Sequence, residues 1–365
     1  MTDRLLSRGV DPEREIQELV AFEGRGPGTD AERRAAVHLK QKLERLGRRA
    51  ELEPIQVRPN YPAVFLVLAI AGIAGSVLSV RSALGGFVLL AAATLLALGE
   101  LTGTISPLRR LTPMRASQNV VSGEQSDREG VLVLMAHYDA GRSGWLYDLR
   151  LPRGIGAFQL FFWSLFVIFV CTLARLIGID NLPLTVVQFI PTVLLIASIP
   201  LFGDIALAGI LPGANDNASG VATVLRLADR YGGALQNFDL WVLFTGAEEG
   251  LLLGSRDWIK RHGKELDPAT TVFVNVDTVG AGPIRHVTKE GLVVRSAFHP
   301  RLIELAETEG FESHAVTDAY AIRSAGFPAI SIVGFDGEVE TAALEDAFAA
   351  CCQLVEAIDE RALAG

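Results

Sequence analysis

The sequence predicts an α/β domain on a mixed, mostly parallel sheet flanked by helices, with two inserted transmembrane helical hairpins. Three observations predict it. Short apolar runs alternate with helix-period segments, four charge-free stretches occur as two close pairs, and polar or acidic residues follow several of the short runs. Half of the 365 residues are hydrophobic and 21% are charged, with a mean hydropathy of +0.33. That is too apolar for a wholly soluble body and too charged for a chain made only of spans.

The chain opens with a charged helical part, residues 1–61. Thr29-Asp30-Ala31-Glu32 is a capping-box pattern, followed by Ala36, Leu39, Leu43 and Leu46 at helical spacing. Gly47 is expected to end that helix, with a strand at Glu51–Val57. Nothing before Pro62 reads as a basic-then-apolar secretory signal.

Pro62–Val80 and Ser82–Gly99 are the first two spans, in a hairpin over 62–102; Gly154–Ala174 and Asn181–Gly203 form the second, over 154–203. A bilayer core needs roughly 17–25 apolar residues per helix. Gly72, Gly75, Pro191 and Pro200 suit spans, and the small residues Ala71, Gly72, Gly75 and Ser76 offer a helix-packing face. The spans lack ionisable residues, which argues against a transporter. Hairpins return the chain to the side it left, so 1–61, 103–153 and 204–365 form one body on one face. Arg58, Arg109, Arg110, Arg115, Arg142, Arg150 and Arg153 flank the returning ends, against Arg81 and Arg175 at the tips, which predicts a cytoplasmic body at the inner or plasma membrane.

Within the body, Val131–Ala136, Leu240–Thr245, Val272–Val276 and Ala329–Val333 read as strands. Val221–Tyr231, Leu252–Arg261, Pro300–Glu309 and Ala342–Arg361 read as helices. A formal net charge of −9 excludes nucleic acid, whose phosphates need a basic footprint. Cys171, Cys351 and Cys352 cannot form a disulfide framework, and a reducing compartment suits them.

The chemistry lies after the strands. One run delivers His137-Tyr138-Asp139, another Gly246-Ala247-Glu248-Glu249-Gly250, a third Asp277, and the second hairpin delivers the turn Gly213-Ala-Asn-Asp-Asn-Ala-Ser-Gly220. In an open parallel sheet these ends share one crevice. Carboxylates crowded there repel unless a cation neutralises them, and imidazole with carboxylates and no thiolate suits zinc, or less specifically manganese or cobalt.

These strings resemble the co-catalytic zinc aminopeptidases of metallopeptidase family twenty-eight, over nearly all of the chain outside the hairpins. The resemblance implies a zinc-exopeptidase-like fold and two zinc ions. His137 and Asp277 would bind one, Glu249 the other, and Asp216 would bridge them. Asp139 would orient the His137 ring, and Glu248 would be the general base. The implied substrate is a peptide with a free N-terminus; the lipid bilayer is expected as a partner from the four charge-free spans. Asn215 and Asn217 are expected to shape the turn or touch substrate. Thr317-Asp318-Ala319-Tyr320 resembles the segment leading to the family's last strand.

One feature departs from the family: it has a histidine and a tyrosine after the last strand, whereas here His314 and Tyr320 are the last of their kinds. The second metal could take Asp336, His314 or solvent instead, or a single zinc could sit at His137, Asp216 and Asp277. A catalytically degenerate, membrane-anchored binding or regulatory protein is an alternative, as is a related metallo-carboxypeptidase or deacylase.

Overall fold

A computed structural model describes residues 9–126, 128–149 and 155–361. Arg150, Arg153 and the expected span start Gly154 lie outside them.

The chain begins with α1 (Pro12–Val20) and α2 (Asp30–Arg45). Asp11 caps α1, and the Thr29 side chain accepts the Glu32 N–H at 3.1 Å to cap α2. The reciprocal half of the capping box differs. Glu32 Oε2 accepts from Gly28 N, and Oε1 turns inward to the body. β1 (Glu51–Val57) follows as expected, with Gly47 in the left-handed region at φ +78°.

The first hairpin is α3 (Tyr61–Arg81) and α4 (Ala83–Thr102). β2 (Arg115–Gly123), β3 (Gly130–His137) and the short α5 (Trp145–Asp148) precede the second, α6 (Ala157–Leu176) and α7 (Leu182–Leu207). All four long helices are long and apolar enough to cross a membrane. They pack into one bundle through Phe65, Leu90, Leu165 and Leu195, while Val67, Ile70, Phe189 and Ile190 face outward. An apolar exterior on this scale would be unfavourable in water. Gln188 joins the hairpins, donating to Ser76 O at 2.9 Å. Acidic and basic residues stand only in the end turns: Arg81, Glu100, Arg175 and Asp204.

The body continues with α8 (Gly220–Tyr231), β4 (Phe238–Thr245), α9 (Leu253–His262), β5 (Thr271–Asp277), β6 (Arg285–Glu290) and β7 (Ser296–Ala297). Then come α10 (Pro300–Leu305), β8 (Glu309–Glu312), α11 (Asp318–Ser324), β9 (Ala329–Val333) and α12 (Thr341–Arg361). The helix expected over Pro300–Glu309 stops at Leu305. Glu309 and Gly310 instead pair with β6, where a Cβ on Gly310 would meet His286 Nε2 at 2.8 Å.

Among the described residues the sheet has nine strands, ordered β1-β2-β4-β3-β5-β9-β6-β7, with β8 on β6. Its four middle strands run parallel, and β2 and β6 join them antiparallel. Alternate side chains of the middle strands serve opposite faces. Leu134, Val242 and Val274 pack with Leu39, Leu225 and Leu344; Met135, Leu243 and Phe273 pack with Trp258 and Ile322. Burial on both faces is why these strands read as unbroken apolar runs.

Candidate metal centre

His137 ends β3, Asp277 ends β5, and Glu248 and Glu249 follow β4, so the parallel strands carry all four to one edge. Asp216 arrives from the turn before α8 and is held by its neighbours. Asn217 donates to Val276 O at 3.0 Å and accepts from Gly220 N and Thr278 N, both at 3.0 Å. Asn215 accepts from Gly280 N at 2.7 Å and donates to Phe335 O at 2.8 Å. The two asparagines are therefore engaged in shaping the turn.

His137 Nε2 lies 3.0 Å from Asp216 Oδ1, 3.6 Å from Asp277 Oδ1 and 3.9 Å from Glu248 Oε2. One ligand atom from each of His137, Asp216 and Asp277 falls within 4.8 Å of the others. Ligand atoms about 2.0–2.1 Å from a tetrahedral zinc stand roughly 3.3 Å apart, and the two shorter distances bracket that spacing. The donor set fits one zinc ion. Glu249 stands farther out, lining with Asp216 both adjoining cavities. Asp336 joins them on the larger, of about 920 Å³, whereas His314 lines neither.

The ring of His137 is oriented from below. Its Nδ1 is 3.2 Å from the Asp139 backbone oxygen and 3.6 Å from the carboxylate. The Asp139 carboxylate instead accepts the backbone N–H groups of Glu248 at 3.0 Å and Glu249 at 3.1 Å. Among the described residues, every non-glycine residue with positive φ lies in the loops at this edge: Ala247, Leu251, Leu252 and Thr278. Such strain collects where a scaffold over-determines a site. Gly141 makes room, since a Cβ there would meet Glu249 Oε1 at 2.5 Å.

The electrostatics favour a cation. Burial opposes charge on His137, yet Glu248, Asp139, Asp216 and Asp277 together raise its pKa well above the ordinary value. Burial, partly opposed by His137 and reinforced by Glu249, raises Glu248 well above a usual carboxyl; burial and Asp216 do the same for Glu249. Burial pushes Asp277 up, but the bond and charge of His137 together with bonds from Thr278 and Asn275 bring it below the usual value. Unpaired acids crowded this way hold protons until a positive charge replaces them.

Five supporting residues were not read from the sequence as part of this site. Arg25, 1% exposed, donates to Tyr138 O at 2.9 Å, Gly213 O at 2.6 Å and Pro212 O, tying the His137 loop to the Asp216 turn. Glu32 accepts from Ser117 Oγ at 2.7 Å and Ala247 N at 2.9 Å. Asp318, noted in sequence only within its segment, accepts from Thr245 Oγ1, and burial raises it to about 6. The hydroxyl of Tyr147 bonds that of Tyr61, and both phenols line the cavity over His137.

Residues 200–352 match peptidase family M28. No curated protein matches the chain. Among solved structures, the aminopeptidase from Aneurinibacillus sp. strain AM-1 is 14% identical with a TM-score of 0.55, covering 97% of this chain and 95% of that one. The zinc aminopeptidase of Bacillus subtilis is 14% identical at a TM-score of 0.52, covering 95% of each chain. Fimbriiglobus ruber glutaminyl cyclase is 13% identical at 0.52, covering 97% of each. At such identities the likeness is one of fold, and it is the expected zinc-exopeptidase-like fold. The turn and loops carrying Asp216, Glu248, Glu249 and Asp277 thus fall within the segment, residues 200–352, that matches peptidase family M28, and His137 joins them from β3 outside it.

Proposed function

We propose that the chain is a membrane-bound, zinc-dependent exopeptidase that removes residues from the free N-termini of peptides. The observation that carries this reading is the convergence of His137 Nε2 with Asp216 and Asp277, beside a buried Glu248 carboxylate 3.9 Å away. His137, Asp216 and Asp277 would hold one zinc; Glu249, with Asp216 as bridge, would hold a second, helped by Asp336 in place of the missing histidine. Bound zinc supplies a water acidified toward neutral pH and polarises the scissile carbonyl.

The chain's own residues do the rest. Glu248 takes a proton from the attacking water and returns it to the departing amine, and burial raises its proton affinity above that of an ordinary carboxylate. Asp139 fixes both glutamates by holding their backbone amides, and its backbone oxygen accepts a hydrogen bond from Nδ1–H of His137, which would leave Nε2 free to bind metal. The four long helices would span the bilayer, with the body on the cytoplasmic side. Purified protein should cleave aminoacyl-anilides only with zinc bound, and Glu248→Gln should lose most of its turnover while keeping the metal. Full turnover in that variant would end the reading.

The missing histidine favours one further reading, a catalytically degenerate, membrane-anchored binding protein. Zinc-loaded protein that binds peptides but cleaves none would support it.

A further inference from the structure

Two residues from the first turns of the long helices, Tyr61 of α3 and Phe158 of α6, line the same cavity as His137, Glu248 and Asp277. Their rings stand 6.1 Å apart. The cavity, of about 290 Å³, is also lined by Leu292 and Val316. Leu292 belongs to the hydrophobic cluster of the bundle, and Leu251, directly after the Glu248-Glu249-Gly250 turn, packs against it, as does Val316. The turn carrying Glu248 and Glu249 is therefore seated on the base of the helical bundle.

Around that base, apolar side chains are left outward. Trp145 is 62% exposed and Val294 68% exposed. Trp145 N donates to Asp204 Oδ2 at 2.8 Å, in the last turn of α7, and Gln159 Nε2 in the first turn of α6 donates to Val293 O at 3.3 Å. An exposed Trp beside the end of an apolar helix is characteristic of the level where a bilayer surface begins. One helical turn rises about 5.4 Å, so Tyr61 and Phe158 place the cavity within about a turn of that surface.

From this we infer that the cavity takes peptides anchored in the bilayer by their own apolar segment, and that Phe158 forms the wall against which the residue to be removed is seated. The inference rests on the exopeptidase reading and adds the substrate class. A peptide confined to the surface meets the cavity at a raised effective concentration, which a freely soluble peptide of the same sequence lacks.

The test uses full-length, zinc-loaded protein in phosphatidylcholine vesicles. Two peptides share a free N-terminal leucine and a fluorogenic bond, and one carries a C-terminal hexadecyl amide. The anchored peptide should show at least tenfold higher kcat/KM. Phe158→Ala should erase the preference for N-terminal Leu over Ala; Phe158→Leu, which keeps volume in the aromatic cluster, should reduce it. Separately from turnover, an anchored peptide with an N-terminal photoreactive benzoylphenylalanine should cross-link to Tyr61 or Phe158 in the Glu248→Gln protein. Equal rates for the two peptides, with cross-links confined to residues away from the helix ends, overturn the inference while leaving the exopeptidase reading intact. Hydrolysis of neither peptide overturns the reading, and the inference with it.

Discussion

Glu32 Oε1 accepts the backbone N–H of Ala247 at 2.9 Å, so a helix from the start of the chain fixes the turn that presents Glu248 and Glu249. The same oxygen takes the Ser117 hydroxyl, and the other oxygen the Gly28 amide. The carboxyl is almost fully buried, and burial reinforced by Asp139 raises it from 4.5 to about 8.

A carboxyl raised in the folded state makes stability depend on pH in a definite direction. Its contribution is complete below about pH 4.5 and is lost as pH rises toward 8, because the folded protein holds a proton that the unfolded chain releases. Each unit of displacement corresponds to about 1.4 kcal/mol. Metal-free protein should therefore melt at progressively lower temperature between pH 5 and 8, and Glu32→Gln should flatten part of that slope. Thermal melts in detergent across that range check it; parallel slopes for the two proteins contradict it.

Arg25→Ala should destabilise the protein by about 2–4 kcal/mol, because it leaves the carbonyls of Tyr138, Pro212 and Gly213 without their shared donor. It should also weaken zinc binding, since the Asp216 turn is then no longer held to the His137 loop. Arg25→Lys should recover little, as one ammonium cannot reach three oxygens in a planar fork. Denaturant melts and zinc titrations report the two effects separately.

Gly72 lies where α3 meets both helices of the second hairpin, and a Cβ there would approach Leu165 Cδ2 to 2.5 Å and Leu195 Cδ1 to 2.7 Å. Gly72→Ala should be mild, because both neighbours are ends of flexible side chains. Gly72→Leu should cost about 1–3 kcal/mol through overpacking. Loss of thermal stability in detergent, larger for Leu than for Ala, is the expected result. The small-residue face read from the sequence thus packs inside the bundle.

Glu248→Gln should lower kcat by about two to four orders of magnitude, the range for removing a general acid–base group. Zinc content should stay unchanged, because Asp139 still holds the turn through the residue 248 amide.

The centre of the sheet was legible because β3, β4, β5 and β9 are buried on both faces and so read as apolar runs. The margins were not: Arg115–Gly123 and Arg285–Glu290 are polar strands that owe their pairing to tertiary neighbours. His137 and Asp277 were readable because they end such runs. Arg25 was not, since its acceptors lie up to 188 residues away. Glu32 was read as a capping residue, which its spacing from Thr29 justified; that its carboxylate reaches Ala247 depends on the packing of α2 against β2. Tyr147 and Phe158 reach the cavity only because the hairpins sit against the body.

Zinc stoichiometry on folded protein, purified without chelators, tests the central claim most directly. Folded wild-type protein should hold at least one tightly bound zinc per chain, lost in His137→Ala and in Asp277→Asn while the fold persists. A folded wild-type protein that binds no zinc, or binds as much after His137→Ala as before, contradicts it.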